Sequence, residues 1–190
     1  MPKETESTPV RERLLNTAAD LFYKEGIQAV GIQRVIQEAD AAKASLYAHF
    51  PSKDDLVAAY LERSSTQVQE RFKARLARVG ADPRARVLAF FDVMIEWSRS
   101  KEFRGCPFTM AAAELGEGDH PGRTAIHAHR VWLRGLLREE VVATGLPDPD
   151  QITEALMVML DGAAATHQLD GIRTTGETAR WAAERLLGTR

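Results

Sequence analysis

The sequence predicts an all-α protein, with an N-terminal three-helix helix-turn-helix domain, a larger helical region after it, and about nine helices in total. Apolar residues recur at i, i+3, i+4 and i+7 from Ile32 to Ala39, which is the spacing of one face of a helix, and other segments keep near-helical spacing. No segment alternates as a half-buried strand does. Gly residues and Asp-Pro pairs stand between the periodic segments, where helices end and begin.

The composition is that of a soluble globular protein. The chain has 190 residues, of which 44% are hydrophobic and 27% charged, and such values argue against disorder and collagen-like repeats. The single cysteine, Cys106, excludes an internal disulfide. Residues 1–9 lack the apolar run of a signal peptide and are expected to form a flexible arm. Because no stretch approaches the roughly 20 apolar residues of a membrane span, we expect a cytoplasmic protein without a membrane partner.

The first three predicted helices are short or of medium length. Helix one is expected over residues 10–25, with Gly26 after it in the left-handed conformation. Apolar residues from Ile32 to Ala39 form the stripe of a short second helix, and a further short set ends at Pro51, which has no N–H to donate. Two short helices joined by a few residues predict a helix-turn-helix, whose second helix lies in the DNA major groove.

The second helix of this pair would turn Leu46 and Phe50 inward and present its other side chains to DNA. Ser52 and Asp55 have capping-box spacing, so a long helix should begin there with Lys53 and free N–H groups available to a phosphate. A plain three-helix core with a solvated polar face is the alternative. The candidate DNA-binding residues are Arg34, Lys43, Ala44, Ser45, Tyr47, His49 and Lys53.

The residues from Lys43 to Leu56, KASLYAHFPSKDDL, resemble without a gap the signature of the TetR (tetracycline-repressor-like) family, K-G-T-L-Y-x-H-F-x-S-K-x-x-L. The resemblance covers residues 10 to about 56. It implies an all-helical homodimer with a DNA-binding domain, here over residues 10–56, and a ligand-binding and dimerisation domain, here over residues 57–190.

The sequence departs from the family pattern around the turn. Asp40, Ala41 and Ala42 stand where Gly, an apolar residue and Ser are usual, Ala44 replaces a Gly, and Val30-Gly31 replace a hydroxyl residue at the start of the first of the two helices. Asp tolerates the left-handed backbone that Gly supplies. Ala42 cannot cap the following helix, a loss of about 0.5 to 2 kcal/mol of local stability.

The charge balance is unusual for a DNA-binding protein. The formal net charge is −2, and residues 1–56 hold seven Lys and Arg against nine Asp and Glu. Binding would therefore depend on a few placed cations and on two half-sites engaged together. We expect a shallow salt dependence, with about three to five phosphates neutralised per subunit.

Further helices follow a long one predicted from Ser52 to Val79. Asp82-Pro83 and Asp148-Pro149 are predicted to cap and open two of them, and Thr174 with Glu177 has capping-box spacing. A Gly- and Pro-containing loop is expected over residues 116–122. The predicted ranges are 84–100, a short helix ending near 115, 123–144, 149–170 and 175–187.

The segment from residue 90 to residue 132 holds six of the thirteen aromatic residues. A mostly apolar cavity with a few polar groups is what a small-molecule site needs, although aromatics at helical spacing are also typical of a bundle core. The family resemblance implies such a cavity. The candidate ligand-binding residues are Phe91, Met94, Trp97, Cys106, Phe108, Met110 and Trp132.

The sequence gives little support for a redox cysteine, a metal site or an enzyme active site. Cys106 could be a redox sensor at a helix start, but a buried inert cysteine is favoured. His127 and His129 lie about 200° apart around a helix, which disfavours a shared metal ion. No nucleophile, phosphate-loop or zinc-protease spacing occurs. We therefore expect no catalytic residue, no metal, no cofactor and no enzyme activity.

The last two predicted helices have apolar stripes that would suit a homodimer interface, although a bundle core could also bury them. A two-fold dimer would place its recognition helices about 34 to 36 Å apart or somewhat more, facing a pseudo-palindromic operator. The stripes are Ile152, Leu156, Met159, Leu160 and Ala163, and Ala179, Ala183, Leu186 and Leu187.

We expect a transcriptional repressor, held on its operator as a homodimer and released by a small, largely apolar ligand. Ligand binding would shift the long helix from Ser52 to Val79 and spoil the half-site separation. An architectural or non-specific DNA-binding protein is one alternative. A helical interaction module without DNA binding, suggested by Ala42 and the acidic balance, is another.

Overall fold

The computed structural model describes residues 9–172 and 174–188, and this part of the chain consists of nine α-helices without a strand. The predicted class is therefore confirmed, and every predicted helix has a counterpart with similar ends. Apart from Pro9, the arm predicted over residues 1–9 lies outside the described residues. The helices are α1 (Val10–Glu25), α2 (Ile32–Glu38), α3 (Lys43–His49), α4 (Lys53–Val79), α5 (Pro83–Ser98), α6 (Pro107–Glu114), α7 (Pro121–Ala143), α8 (Pro149–Asp170) and α9 (Thr175–Leu186).

Two helix starts have the predicted caps. The Asp82 carboxylate accepts hydrogen bonds from the backbone N–H groups of Arg84, at 3.2 Å, and Ala85, at 3.3 Å, while proline occupies the first position of α5. The Ser52 hydroxyl accepts from the Asp55 N–H at 3.1 Å and donates to the Asp55 carboxylate at 2.6 Å. Both satisfy N–H groups that a helix start leaves without intrahelical partners.

Other helix ends differ from the prediction. Asp148 adopts a left-handed conformation (φ 52°) in which its side chain makes no capping bond. Thr174 does not cap α9, and Glu177 instead accepts a 2.8 Å hydrogen bond from Arg99. Gly26 has the expected positive φ, 96°, but its ψ of 151° is extended rather than left-handed helical. The loop expected to end at residue 122 ends earlier because proline opens α7 at residue 121.

The described residues fall into two compact units. Unit 1 comprises residues 9–63 and 110–126, and unit 2 comprises residues 64–109, 127–172 and 174–188. Helices α4, α6 and α7 each begin in one unit and end in the other. In unit 1, the apolar stripe of α1 is buried, and Phe22 meets Tyr60 edge to face with ring centroids 5.8 Å apart.

Unit 2 is organised around α5, which is buried along most of its length. Phe90 and Phe91 are fully buried, and the packed core includes residues of α4, α7, α8 and α9. Of the two alternatives for the apolar stripes of the last two helices, the bundle core applies to five stripe residues, which lie in the protomer's own core. These are Leu156, Leu160, Ala163, Ala183 and Leu187. None of the described helices combines the length and hydropathy that crossing a membrane requires.

Candidate nucleic-acid interface

The turn between α2 and α3 has the geometry of a helix-turn-helix. Asp40 has φ 47°, the left-handed backbone that the sequence predicts there. The Asp40 N–H donates to the Gln37 carbonyl at 3.2 Å and the Ala41 N–H donates to the Ile36 carbonyl at 3.1 Å. This pair of bonds is the Schellman arrangement that ends many helices, with Asp in the place usually held by Gly.

Arg13 on α1 fixes this turn, a role that the sequence analysis missed. Its guanidinium donates to the Ala39 carbonyl at 3.3 Å and to the Asp40 carbonyl at 3.1 Å. These carbonyls belong to the end of α2, where the helix leaves acceptors without intrahelical partners and where a cation is favoured by the helix dipole. Arg13 therefore connects the supporting helix α1 to the segment that sets the angle between α2 and α3.

The outer face of α3 is exposed as predicted, and its inner face is buried. Leu46 is 0% and Phe50 2% exposed, whereas the Tyr47 side chain is exposed at 44%. With about 100° of rotation per residue, Ala44 and Ala48 lie opposite Leu46 at the centre of the outer face. Small side chains there permit close approach of a helix to base edges. Lys43 and His49 are exposed at the two ends of α3, and Ser45 is half-buried.

Neither helix of the pair has a side-chain cap. Ala42 precedes α3 in an extended conformation (φ −76°, ψ 144°) without a capping bond, and Gly31 likewise precedes α2. Lys53 is half-buried at the start of α4, where the Ser52 hydroxyl already occupies one N–H of the first turn. The hydrogen bonds available to a phosphate here are therefore fewer than the sequence analysis expected.

Arg34 is exposed, but its charge is already paired. Its guanidinium donates to Glu25 at 2.8 Å and to Glu38 at 2.8 Å, and these hydrogen bonds raise the pKa of Arg34. An exposed pair of this kind can exchange one carboxylate for a DNA phosphate, because exposed ion pairs contribute at most about 1 kcal/mol. The DNA contact of Arg34 stays a prediction.

The predicted ligand-binding residues lie in both units. Met110 belongs to unit 1 and the other six to unit 2. Phe91, Met94 and Phe108 are buried, while Cys106 is half-buried, less than its interpretation as a buried inert cysteine requires. In unit 2, Trp132 lines an open groove of about 550 Å³ between α4, α5 and α7. Its lining residues are Gln69, Glu70, Lys73, Leu76, Ala77, Arg86, Trp132 and Leu136.

A buried polar pair in unit 2 lies beside residues of this groove. The His129 Nδ1 is 3.0 Å from the Ser65 Oγ, which also accepts from the Gln69 amide at 3.2 Å. The His129 ring stacks on Phe108 at 3.6 Å between centroids. Burial, and to a smaller extent the charge of Arg130, lowers the pKa of His129 to about 4.

Comparisons with known proteins identify the domain types. The family model described as "Bacterial regulatory proteins, tetR family" matches residues 14–60, and that described as "Tetracyclin repressor-like, C-terminal domain" matches residues 83–183. The HTH-type transcriptional regulator LmrA of Bacillus subtilis is 29% identical over 138 residues, 71% of this chain and 72% of its own. The HTH-type transcriptional repressor DhaR of Mycobacterium sp. (strain GP1) is 26% identical over 108 residues, 57% of this chain and 53% of its own.

Solved structures show the same fold. The TetR-family transcriptional regulator SCO4454 of Streptomyces coelicolor superposes with a TM-score of 0.88 and 35% identity, over 94% of both chains. Because the helix-turn-helix, the two family matches and this structure agree, the resemblance seen between Lys43 and Leu56 is confirmed. The chain is a DNA-binding transcriptional regulator and belongs to the TetR family.

Proposed function

We propose that the protein is a homodimeric repressor that binds a pseudo-palindromic DNA operator and is released from it by a small, largely apolar ligand. The observation that carries the DNA-binding part is the outer face of α3. Ala44 and Ala48 form its centre, and Tyr47, exposed at 44%, lies beside them while Leu46 is fully buried. This arrangement places hydrogen-bonding side chains around a surface that is small enough to enter the major groove.

A repressor role and dimerisation have separate support. DhaR, which shares part of this sequence, is a transcriptional repressor. For the dimer, the outer faces of α8 and α9 carry large exposed apolar side chains, with Val158 at 69%, Trp181 at 57% and Leu186 at 38% exposure. Exposed tryptophan is unusual on a monomeric surface and is enriched at interfaces. We place the dimer interface on these exposed residues, of which Leu186 belongs to the predicted α9 stripe.

The ligand site is proposed in unit 2, around the groove that Trp132 lines. A volume of about 550 Å³ suits a drug-sized molecule. Apolar contacts come from Leu76, Trp132 and Leu136. Polar contacts come from Gln69, Glu70, Lys73 and Arg86. Phe91, Met94, Trp97, Cys106 and Phe108 remain candidates for contacts deeper in unit 2. A coupling free energy of about 1 to 3 kcal/mol would lower operator affinity about 5- to 150-fold.

The DNA-binding proposal is tested by selecting fragments of the source genome with the purified protein and measuring affinity by fluorescence anisotropy. Tyr47→Ala should weaken binding to the selected fragment about 5- to 150-fold, the cost of one lost base contact. Lys43→Ala should also lower the slope of log K against log salt by about 1. Lys24→Ala, an exposed cation on α1, is the charge-matched control. Binding without preference among fragments and with a steep salt slope would favour the architectural alternative.

The dimer proposal is tested by Trp181→Glu and Val158→Glu, measured by sedimentation at several concentrations. We expect dissociation to monomers and a loss of most operator affinity, because a single half-site has to hold the DNA alone. Val142→Glu, at an exposed position of α7, controls for the added charge. Dimers that persist in both variants would contradict the proposed interface.

A further inference from the structure

The end of α6 is bound to the turn between α1 and α2, far away in the sequence but within unit 1. The Gln28 N–H donates to the Glu114 carboxylate at 2.8 Å, and the Gln28 side-chain amide donates to the Glu114 carbonyl at 3.3 Å. A hydrogen bond from a neutral donor to a charged acceptor is among the stronger ones in proteins. These two bonds join α6 to the residues that lead into the helix-turn-helix.

The α1–α2 turn is shaped to receive this carboxylate. Gly26 has φ 96°, and a Cβ there would lie 3.2 and 3.3 Å from the two Glu114 carboxylate oxygens. A side chain at residue 26 would therefore be disfavoured by the backbone conformation and would also press on Glu114. The glycine serves both the end of α1 and the approach of α6.

A second contact joins the α6–α7 connection to the start of α4. The His120 Nδ1 accepts from the Gly122 N–H at 2.9 Å, so the neutral ring carries its proton on Nε2, which lies 3.2 Å from the Asp54 carboxylate. A Cβ at residue 122 would lie 2.7 Å from Leu115. Arg123 donates to the carbonyls of Ala112, at 3.2 Å, and Gly116, and so ties the connection together.

We propose that Glu114 and His120 are positioning residues for DNA binding: they brace the helix-turn-helix between the turn before α2 and the start of α4. We name this pair of contacts the α6–α7 brace. The brace is made of few polar contacts, so a small movement of α6 is sufficient to break it. α6 and α7 also carry Phe108 and His129, which stack on each other in unit 2.

Through the brace, ligand binding in unit 2 can alter the helix-turn-helix in addition to its effect through α4. This regulatory part rests on the proposed function. A ligand that alters the packing of Phe108 moves α6, whose other end holds the α1–α2 turn through Glu114. Unbraced protein populates the DNA-competent geometry less, and its apparent affinity falls by that fraction. The two sites are coupled through a continuous element, because α6 carries Phe108 at one end and Glu114 at the other.

The test compares Glu114→Ala with Glu114→Gln and Glu117→Ala. Glu117 is an exposed acidic residue in the connection that follows α6. Glu117→Ala therefore controls for the loss of a negative charge in this part of unit 1. Hydrogen exchange is measured on the DNA-free proteins, and affinity is measured for the genomic fragment that the native protein selects. Glu114→Gln keeps an oxygen acceptor for the Gln28 N–H and serves as the conservative rescue.

We expect Glu114→Ala to accelerate amide exchange of Gln28 at least tenfold and to weaken specific DNA binding about tenfold with an unchanged salt slope. Glu117→Ala should change neither, and Glu114→Gln should retain most of both. Unchanged Gln28 exchange or unchanged affinity in Glu114→Ala would overturn the proposal. If that variant does not fold, the native protein decides: the selected DNA must slow exchange over residues 110–126, and its failure to do so overturns the proposal.

The outcomes separate this inference from the proposed function. A native protein that selects no genomic fragment contradicts the proposed function, while the Gln28 exchange rates still test the brace. A protein that binds its fragment with equal affinity in the native and Glu114→Ala forms contradicts the brace alone.

Discussion

The two units differ in what fixes their geometry. In unit 1, polar side chains supplement an apolar core that includes Leu14 and Leu46. Arg13 holds the end of α2, and Glu114 holds the turn before it. In unit 2, an apolar cluster around Phe90 and Phe91 sets the helix positions. Hydrogen bonds contribute about 0.5 to 3 kcal/mol each, whereas a buried aromatic side chain contributes more. The turns before and after α2 can therefore change shape at a smaller cost than the unit 2 core.

This difference suits the proposed release from DNA, which requires the α2–α3 pair to move. The helices α2 and α3 have seven residues each and no side-chain cap, so tertiary contacts supply most of their stability. Under the proposed function, unit 2 instead keeps its packing while it binds a ligand. Four predictions test the contrast, from the largest expected effect to the smallest.

Truncation of the unit 2 core should have the largest effect. Phe90 is fully buried and packs on Phe72 at 4.8 Å between ring centroids. We expect Phe90→Ala to lower the free energy of unfolding by about 3 to 5 kcal/mol, because it removes apolar contacts and leaves a cavity. Urea unfolding followed by circular dichroism measures the change. Val142→Ala, at a position 48% exposed, should stay within about 0.5 kcal/mol, and an equal loss in both variants would show that the apolar cluster around Phe90 does not fix unit 2.

The sequence predicted the parts of the fold that depend on neighbours in the chain. The helix ends follow from spacing, proline and glycine, and the outer face of α3 follows from the inward turn of Leu46 and Phe50. The sequence did not predict that Arg13 holds the α2–α3 turn or that Glu114 binds Gln28, because the partners lie 26 or 27 and 86 residues apart. No local pattern pairs a side chain with a distant backbone group.

The apolar stripes of α8 and α9 show a second reason why the structure differs from the sequence prediction. Helical spacing identified Leu156 and Ala183 as members of apolar faces, but it carries no information on which surface covers each face. In the structure the protomer's own core buries both residues. Val158 and Trp181, which lie outside the predicted stripes, are exposed, and so is Leu186 of the α9 stripe. Trp181 lies about 200° around the helix from Ala179 and Ala183. A tryptophan on the face opposite an apolar stripe was the signal available in the sequence.

The second prediction concerns the buried imidazole of unit 2. Because burial lowers the pKa of His129 to about 4, the unfolded chain binds a proton below about pH 6.5 that the folded protein does not bind. Stability should therefore fall as the pH drops from 6.5 towards 4, by about 2 kcal/mol between pH 7.5 and pH 5. Urea unfolding at both pH values measures the loss. His129→Gln should remove most of this pH dependence, and an unchanged dependence would assign it to other groups.

The third prediction concerns Arg13 and tests the polar control of unit 1. Arg13→Met keeps the aliphatic part of the side chain but removes both hydrogen bonds to the turn, which should cost about 1 to 2 kcal/mol of stability. The ratio of specific to non-specific DNA affinity should fall. The salt slope should stay the same, because Arg13 positions the turn and does not contact a phosphate. Arg13→Lys, which can restore one bond, should lie between. A slope lowered by about 1 would instead make Arg13 a phosphate contact.

The smallest effect is expected at the uncapped start of α3. Ala42 has the extended backbone of a capping residue (φ −76°, ψ 144°) but no side-chain acceptor. In Ala42→Ser the hydroxyl oxygen can accept from a backbone N–H of the first turn, which should raise the free energy of unfolding by about 0.5 to 2 kcal/mol. The isosteric pair Ala42→Thr and Ala42→Val isolates the oxygen, since only threonine supplies an acceptor. Equal unfolding midpoints in this pair would show that solvent already satisfies the start of α3, and that its stability comes entirely from packing through Leu46.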